Sequence, residues 1–541
     1  MGRMRILISA MILAAAAAAQ HQPPSPGGPP ALLAGMGVHH HAIATRSAEA
    51  QKFFDQGLVL AFGFNREEAL RSFRRASELD PRAAMPYWGM SLAQGPHINM
   101  DLDGDVNEKA ACEAIAEARR RIAGAPESER LYVAAMAARC AGVKFAPGGE
   151  AAHAKAMRDL AARLPDDPDA ATLLAESLMI QRRWRWWTPD GKPAEGVEEA
   201  VRTLESVIRR HPDHPGAHHF YIHAVEMSPT PERAVPSAQK LMGVVPGAGH
   251  LIHMAGHIWM LVGDYEMVAD SNERAVQVDR EYIRRVGANH GAYQMGYYSH
   301  NLHFVAVARA WQGRYEEARR AAEELLTHVA PAVEAMPPMA EYFGPNLLFV
   351  QLRFQRWDEI LAAPRPDARL PIFNALWHYS RTLAMKGKGR LQEARSEQAR
   401  FEDARKKVPA DAIWTVNPAR ALLDLAAAVL EARLSPGREA AIAHWKRAAQ
   451  LEDALLYDEP PAWYYPVRES LGASLLAAGR PAEAEAAFRA TLKKHPRNGR
   501  ALFGLMESLQ AQKKTEAAAW VRREFEAAWR KAQVAVRVED L

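Results

Sequence analysis

The chain has 541 residues, of which 48% are hydrophobic and 24% charged, values that exclude both a disordered chain and a multi-spanning membrane protein. Its 68 basic and 64 acidic side chains leave a net charge of +4, without the local basic excess a nucleic-acid binder needs. Its 2 cysteines, Cys112 and Cys140, cannot build a disulfide framework or a thiolate metal site. Histidine is the anomaly: of 21 in the chain, eleven fall between His211 and His303, where even spreading would put about four.

The N-terminus reads as a secretory signal over residues 1–19. Arg3 and Arg5 precede an apolar stretch from Ile6 to Ala19, and Ala17-Ala18-Ala19 offers a small-residue cleavage site. An uncleaved N-terminal anchor is the alternative, and no later apolar run is long enough to span a membrane. Residues 20–38 form a Pro/Gly linker, with Gln22 to Pro30 reading QPPSPGGPP. The mature chain is therefore expected outside the cytoplasm, periplasmic or secreted. A Cys112–Cys140 disulfide is permitted there, and a pair of buried thiols is the alternative.

After the linker, apolar residues recur at three- and four-residue spacing in segment after segment, and strand signals are scarce. Repeats appear first at residues 39–101, where Asn65 to Pro81 carries Ala69, Phe73, Ala76 and Pro81. Residues 102–212 fit the pattern poorly and read as irregular helical pairs. Residues 213–335 return to it, with Gly263-Asp264-Tyr265 and Gly313-Arg314-Tyr315 as inter-helix turns. In residues 336–541 the best match runs from Tyr465 to Pro496, with Leu471-Gly472, Leu475, Gly479, Ala484, Phe488 and Pro496. Small residues let two helices approach, an aromatic fills the gap, and proline ends the pair.

As a set, these positions resemble the tetratricopeptide repeat superfamily. The resemblance implies an all-α, right-handed superhelical solenoid whose first helix in each unit lines a concave groove, with positions 2, 5, 9 and 12 pointing inward. It also implies a protein or peptide partner as the occupant of such a groove.

Taking position 1 of three units as Pro215, Gly249 and Ser299 gives the histidines a phase. His219 and His223 fall at positions 5 and 9 of the first unit, with Glu226 at 12. His250, His253 and His257 fall at 2, 5 and 9 of the second, and His300 and His303 at 2 and 5 of the third. Within each helix the i, i+3 and i, i+4 spacings share one face, and neighbouring helices pack about 8–10 Å apart. Seven imidazoles and a carboxylate can therefore converge. A thiolate-free imidazole set suits a transition metal ion, copper or zinc foremost and iron next, and seven imidazoles suffice for two ions. Glu226 is the candidate catalytic residue, as a general base; it is equally placed to be a ligand or to orient an imidazole. A metal-dependent hydrolytic or oxidative enzyme acting on a small molecule is one expectation. A scaffold holding a peptide of a cell-envelope partner is the other, and a histidine-lined groove that binds an acidic peptide belongs with it.

Other residues are read more simply. The triplet His39, His40 and His41 is a solvated arm or a lid, with His41 the structured member. His211, His214 and His218 take loop or flanking roles. Trp184 to Trp187 (WRWW) forms an aromatic wall or a core cluster. The segments HPGAHHFYIHAVE (His214 to Glu226), GAGHLIHMAGHI (Gly247 to Ile258) and HNLHF (His300 to Phe304) resemble, in this order, a group of bacterial tetratricopeptide proteins. Ala255-Gly256 stands where that group carries a proline-serine pair, between ligands rather than at one. The resemblance implies fold and motif, and no reaction.

Overall fold

The structure is a computed structural model that describes residues 30–99, 106–287 and 291–541. The signal segment, most of the linker and His290 lie outside the described residues. The chain is an all-α solenoid of successive helical hairpins. Among the described residues, strands are confined to two short antiparallel ribbons, Cys140–Ala141 with Lys144–Phe145 and Ile413–Trp414 with Asn417–Pro418. None of the described helices is long and apolar enough to cross a membrane. Residues 106–212 also form helical hairpins, and the first ribbon lies where Cys112 and Cys140 are joined in a disulfide.

The hairpins pack by one recurring device. Phe73 lies between Gly57 and Gly89, where an added Cβ would come within 2.6 and 2.4 Å of its ring. Phe488 lies in the same way between Gly472 and Gly504, at 2.4 and 2.2 Å. In both cases the glycines sit 16 residues before and after the aromatic, on the flanking first helices of two successive units. The ring thus fills the space that three helices leave when their backbones approach closely.

The three helices that carry the histidines are Pro215–Glu226, Gly249–Val262 and Ser299–Trp311. Their first residues are the ones the repeat phase assigned to position 1. The third is entered through a π-helical turn, Tyr293–Tyr298, rather than a tight hairpin.

The array does not stay open. Its C-terminal units return to the histidine-bearing ones: Tyr265 Oη donates to the Pro496 carbonyl at 2.9 Å, and Trp311 Nε1 to that of Tyr464 at 3.3 Å. The Gln533 backbone N–H donates to the Gly313 carbonyl at 2.8 Å. From the other end, the turn after the Ala48–Phe62 helix packs on the Pro215 helix. Gly216 permits this approach, since a Cβ there would stand 2.6 Å from the Phe62 ring. The core forms two large bodies, one running from Ala50 to Trp311 and one from Val276 to Leu541, whose sequence ranges overlap at these units.

Candidate metal centre

Closure of the array turns the expected groove into an interior. His219, His223 and His253 are 0% exposed, His250 2% and His257 3%, and His300 is half-buried. A bound peptide would not reach most of these side chains. Six of the seven phased histidines meet as two trios, His219–His223–His250 and His253–His257–His300; in each, the nearest ligand atoms lie within 4.8 Å of one another.

The hydrogen bonds of these rings decide what their nitrogens can do. His219 Nδ1 donates to the Phe62 carbonyl at 2.5 Å, and His223 Nδ1 to Glu226 Oε1 at 2.8 Å. His253 Nδ1 donates to Asn272 Oδ1 at 2.6 Å; the amide orientation is set because Asn272 Nδ2 donates to the Val268 carbonyl at 2.8 Å. His257 Nδ1 faces Glu226 Oε2 at 2.8 Å and also abuts the Glu459 carboxylate. The carbonyl and amide oxygens thereby fix His219 and His253 with the proton on Nδ1 and a lone pair on Nε2, and Glu226, when ionised, does the same for His223 and His257. His219 Nε2 and His223 Nε2 are buried without a hydrogen-bond partner, as are both nitrogens of His250. His253 Nε2 and His257 Nε2 face each other at 2.8 Å, close enough to share a proton in the metal-free protein or, as two lone pairs, to face one cation. Burial also drives the imidazoles of His219, His223, His250, His253 and His300 well below their ordinary pKa, so they are neutral donors.

Glu226 contacts a ring of each trio. One carboxylate oxygen accepts from His223 and the other from His257, so the side chain spans the two trios. Burial first, and then the neighbouring Glu459, push its pKa up to about 8; burial likewise raises Glu459. His303 is the phased residue that does not join. Its ring packs on Tyr342 and Phe343 at centroid distances of 5.4 and 5.9 Å, and burial lowers its pKa to about 3. The helix that carries it is entered through the π-turn, and its position 2, His300, is the residue that reaches the centre.

Several contributors come from outside the phased helices. Glu459 lies in the connection before the Arg468–Ala477 helix, and Asn272 on the Tyr265–Val286 helix. Gly256 makes room for Asn272, whose Nδ2 would lie 2.4 Å from a Cβ at that position. Phe64 sits with its ring centroid 4.4 Å from His219 and 5.3 Å from His250. Phe64 and Trp184 both adopt φ of 56°, a left-handed conformation that costs non-glycine residues roughly 1–3 kcal/mol. Trp184 meets His223 edge to face at 6.4 Å, whereas Trp186 is fully buried core, so the WRWW segment supplies both a wall and a packing residue.

On its other side the centre borders a cavity of about 210 Å³. His250, His257 and His300 form one wall; Trp184, Tyr297, Tyr342, Phe343 and Met339 form apolar walls, with Asp458 and Glu459 at the edge.

The flanking histidines form a separate cluster. His39 Nε2 and His214 Nε2 both reach Asp169 Oδ1, at 3.0 and 3.1 Å, and His41 Nδ1 reaches Asp169 Oδ2 at 2.8 Å. His214 Nδ1 accepts the Ala217 N–H as the cap of its helix, so its Nε2 must carry the proton and donate to Asp169. This cluster fastens residues 39–41 to the fold, and His214 has a structural function beyond a flank. His218 bonds Ser237 and the Pro212 carbonyl, each at 2.9 Å.

No family model matches the chain, and a search of curated proteins finds no match. Among solved structures the chain is similar to a human IFIT1 dimer with m7Gppp-AAAA, at 12% identity over 90% of this chain and 91% of that one, with a TM-score of 0.33. It is also similar to the Cut9 and Hcn1 hetero-tetramer of the APC/C, at 11% identity over 92% and 77% of the two chains, with a TM-score of 0.29. A third is yeast Tom70, at 11% identity over 91% and 93%, with a TM-score of 0.28.

Proposed function

We propose that this protein is an exported transition-metal protein whose centre is built from the histidines of three successive hairpins and can act on a small molecule in the adjoining cavity. The observation that carries the reading is the set of buried Nε2 lone pairs with no protein partner. Those of His219 and His223 belong to rings whose Nδ1 proton is held by a carbonyl and by a carboxylate, and the His250 ring is buried with both nitrogens unpartnered. That outer bond is what a metal-bound imidazole ordinarily makes, and it fixes tautomer and aim before any ion arrives. Copper or zinc suits an all-imidazole set. Glu226 then acts as a positioning residue rather than as a base, because both its oxygens are engaged with His223 and His257. The Cys112–Cys140 disulfide supports an oxidising compartment, in keeping with the signal-like N-terminus. The motifs at His214 to Glu226, Gly247 to Ile258 and His300 to Phe304 extend the proposal to the bacterial tetratricopeptide group that carries similar segments.

Elemental analysis of untagged full-length protein tests this. After incubation with copper, zinc, iron and nickel in turn and exhaustive dialysis, about one equivalent or more of copper or zinc is expected to remain. Retention below about 0.2 equivalents of every metal refutes the proposal.

A further inference from the structure

We infer that the centre holds two metal ions rather than one, each bound by three imidazoles, with the cavity as the shared open side of the pair. The inference rests on the proposed metal-binding function and adds its nuclearity and the class of ligand it admits.

The argument starts from distance. Ligands about 2.1 Å from a single ion lie no more than about 4.2 Å from one another. Among the all-imidazole sets, nitrogens within 4.8 Å of one another group as His219, His223, His250 and as His253, His257, His300, and His223 and His257 also meet across the sets together with Glu226. Rings of the two sets nevertheless touch, with His250 stacked on His253 at 5.3 Å and His223 edge-on to His257 at 5.7 Å. Two adjacent ions fit such a set; one ion would strand half of it.

The trios are also built alike. Each has two rings locked through Nδ1, His219 and His223 in one and His253 and His257 in the other. Each has a third ring, His250 or His300, that lines the cavity. Glu226 joins the sets symmetrically, one oxygen to a locked ring of each. A carboxylate so placed holds the separation of the two ions without occupying a coordination position on either.

Charge identifies what the cavity supplies. The six imidazoles are neutral ligands, and the adjacent carboxylates are Glu226 and Glu459. When ionised, these balance two monovalent ions. Two divalent ions leave charge that a buried site must still neutralise. Three imidazoles also leave each ion at least one position open. The cavity wall shared by His250, His257 and His300 is where one small anionic or diatomic ligand reaches both ions. Azide is a suitable probe because it is a small linear anion able to bridge a metal pair.

The test uses the full-length oxidised protein, freed of metal with a chelator and then titrated with copper(II). About two equivalents are expected to bind, with an electron-spin-resonance signal far below that of the copper present, because paired ions couple magnetically. His219→Ala and His300→Ala should each bind about one equivalent and regain the signal of an isolated ion, while His303→Ala should keep about two. Azide should perturb the copper absorption at about one per wild-type pair. Binding of about one equivalent with full spin intensity in the wild type overturns the paired site while leaving the metal-binding function standing; no binding at all overturns both. The wild-type stoichiometry and spin count require no variant to fold.

Discussion

Replacing Asn272 with leucine separates the fold from the centre. In the wild type Asn272 Oδ1 accepts the His253 Nδ1 proton at 2.6 Å, which keeps His253 Nε2 as a lone pair 2.8 Å from His257 Nε2. Leucine is close in volume and offers no acceptor. Without metal, His253 can move its proton to Nε2 and donate to His257, so the metal-free variant loses about 1 kcal/mol or less. With metal, that route closes: Nε2 must face the ion, and a buried Nδ1 proton is left without a partner at a cost of about 1–3 kcal/mol. Affinity should therefore fall roughly 5- to 150-fold while metal-free stability changes little. Competition for copper or zinc against a coloured chelator measures the first quantity and urea unfolding of the metal-free protein the second. Unchanged affinity, or a metal-free destabilisation above about 3 kcal/mol, would refute the tautomer argument.

Three further outcomes follow from groups away from the trios. Asp279 is 1% exposed and accepts Tyr293 Oη at 2.8 Å and Asn301 Nδ2 at 2.7 Å; burial raises its pKa to about 7. The folded state thus binds its proton more tightly than the unfolded one, so this group lowers stability as pH rises from about 4 to 7 and has no further effect above. Asp279→Asn should remove up to roughly 4 kcal/mol of that slope, read from urea melts at several pH values, and parallel wild-type and variant curves would contradict it. Gly89→Ala should cost about 1–3 kcal/mol in thermal melts because its Cβ would lie 2.4 Å from the Phe73 ring, whereas Gly243→Ala, with nothing within 4 Å, should gain about 0.5–1. The Cys112–Cys140 bond spans a separation of 28 residues, so its reduction should cost about 3.5 kcal/mol; identical melts with and without reductant would count against a stabilising crosslink.

The sequence made the helices and their phase legible because both depend on local signals. Pro215 and Gly249 start helices where a proline and a glycine punctuate the chain, and the spacing between them is one repeat. From that register His219, His223, His250, His253, His257 and His300 follow as one face. His303 shares the register yet packs on Tyr342 and Phe343, a difference that repeat counting cannot detect. Phe62, Asn272 and Glu459 were not legible for a different reason. One contributes a backbone carbonyl, one sits on a second helix that should face away from a groove, and one comes from a distant unit brought near by closure. Only the Gly256 position, a glycine inside a histidine-rich helix, signalled that another side chain had to approach there.

Closure also changes how the molecule can be assembled. An open solenoid gains stability from neighbour to neighbour and can grow or fray one unit at a time. Here the His219 ring is held by a carbonyl 157 residues earlier, and Tyr265 is tied to a carbonyl 231 residues later. Both ends of the chain must be present before the interior is sealed, and with Glu459 still to arrive the histidine helices lack part of their surroundings. The units are therefore interdependent parts of one body, and on the proposed function metal capture belongs to the completed chain.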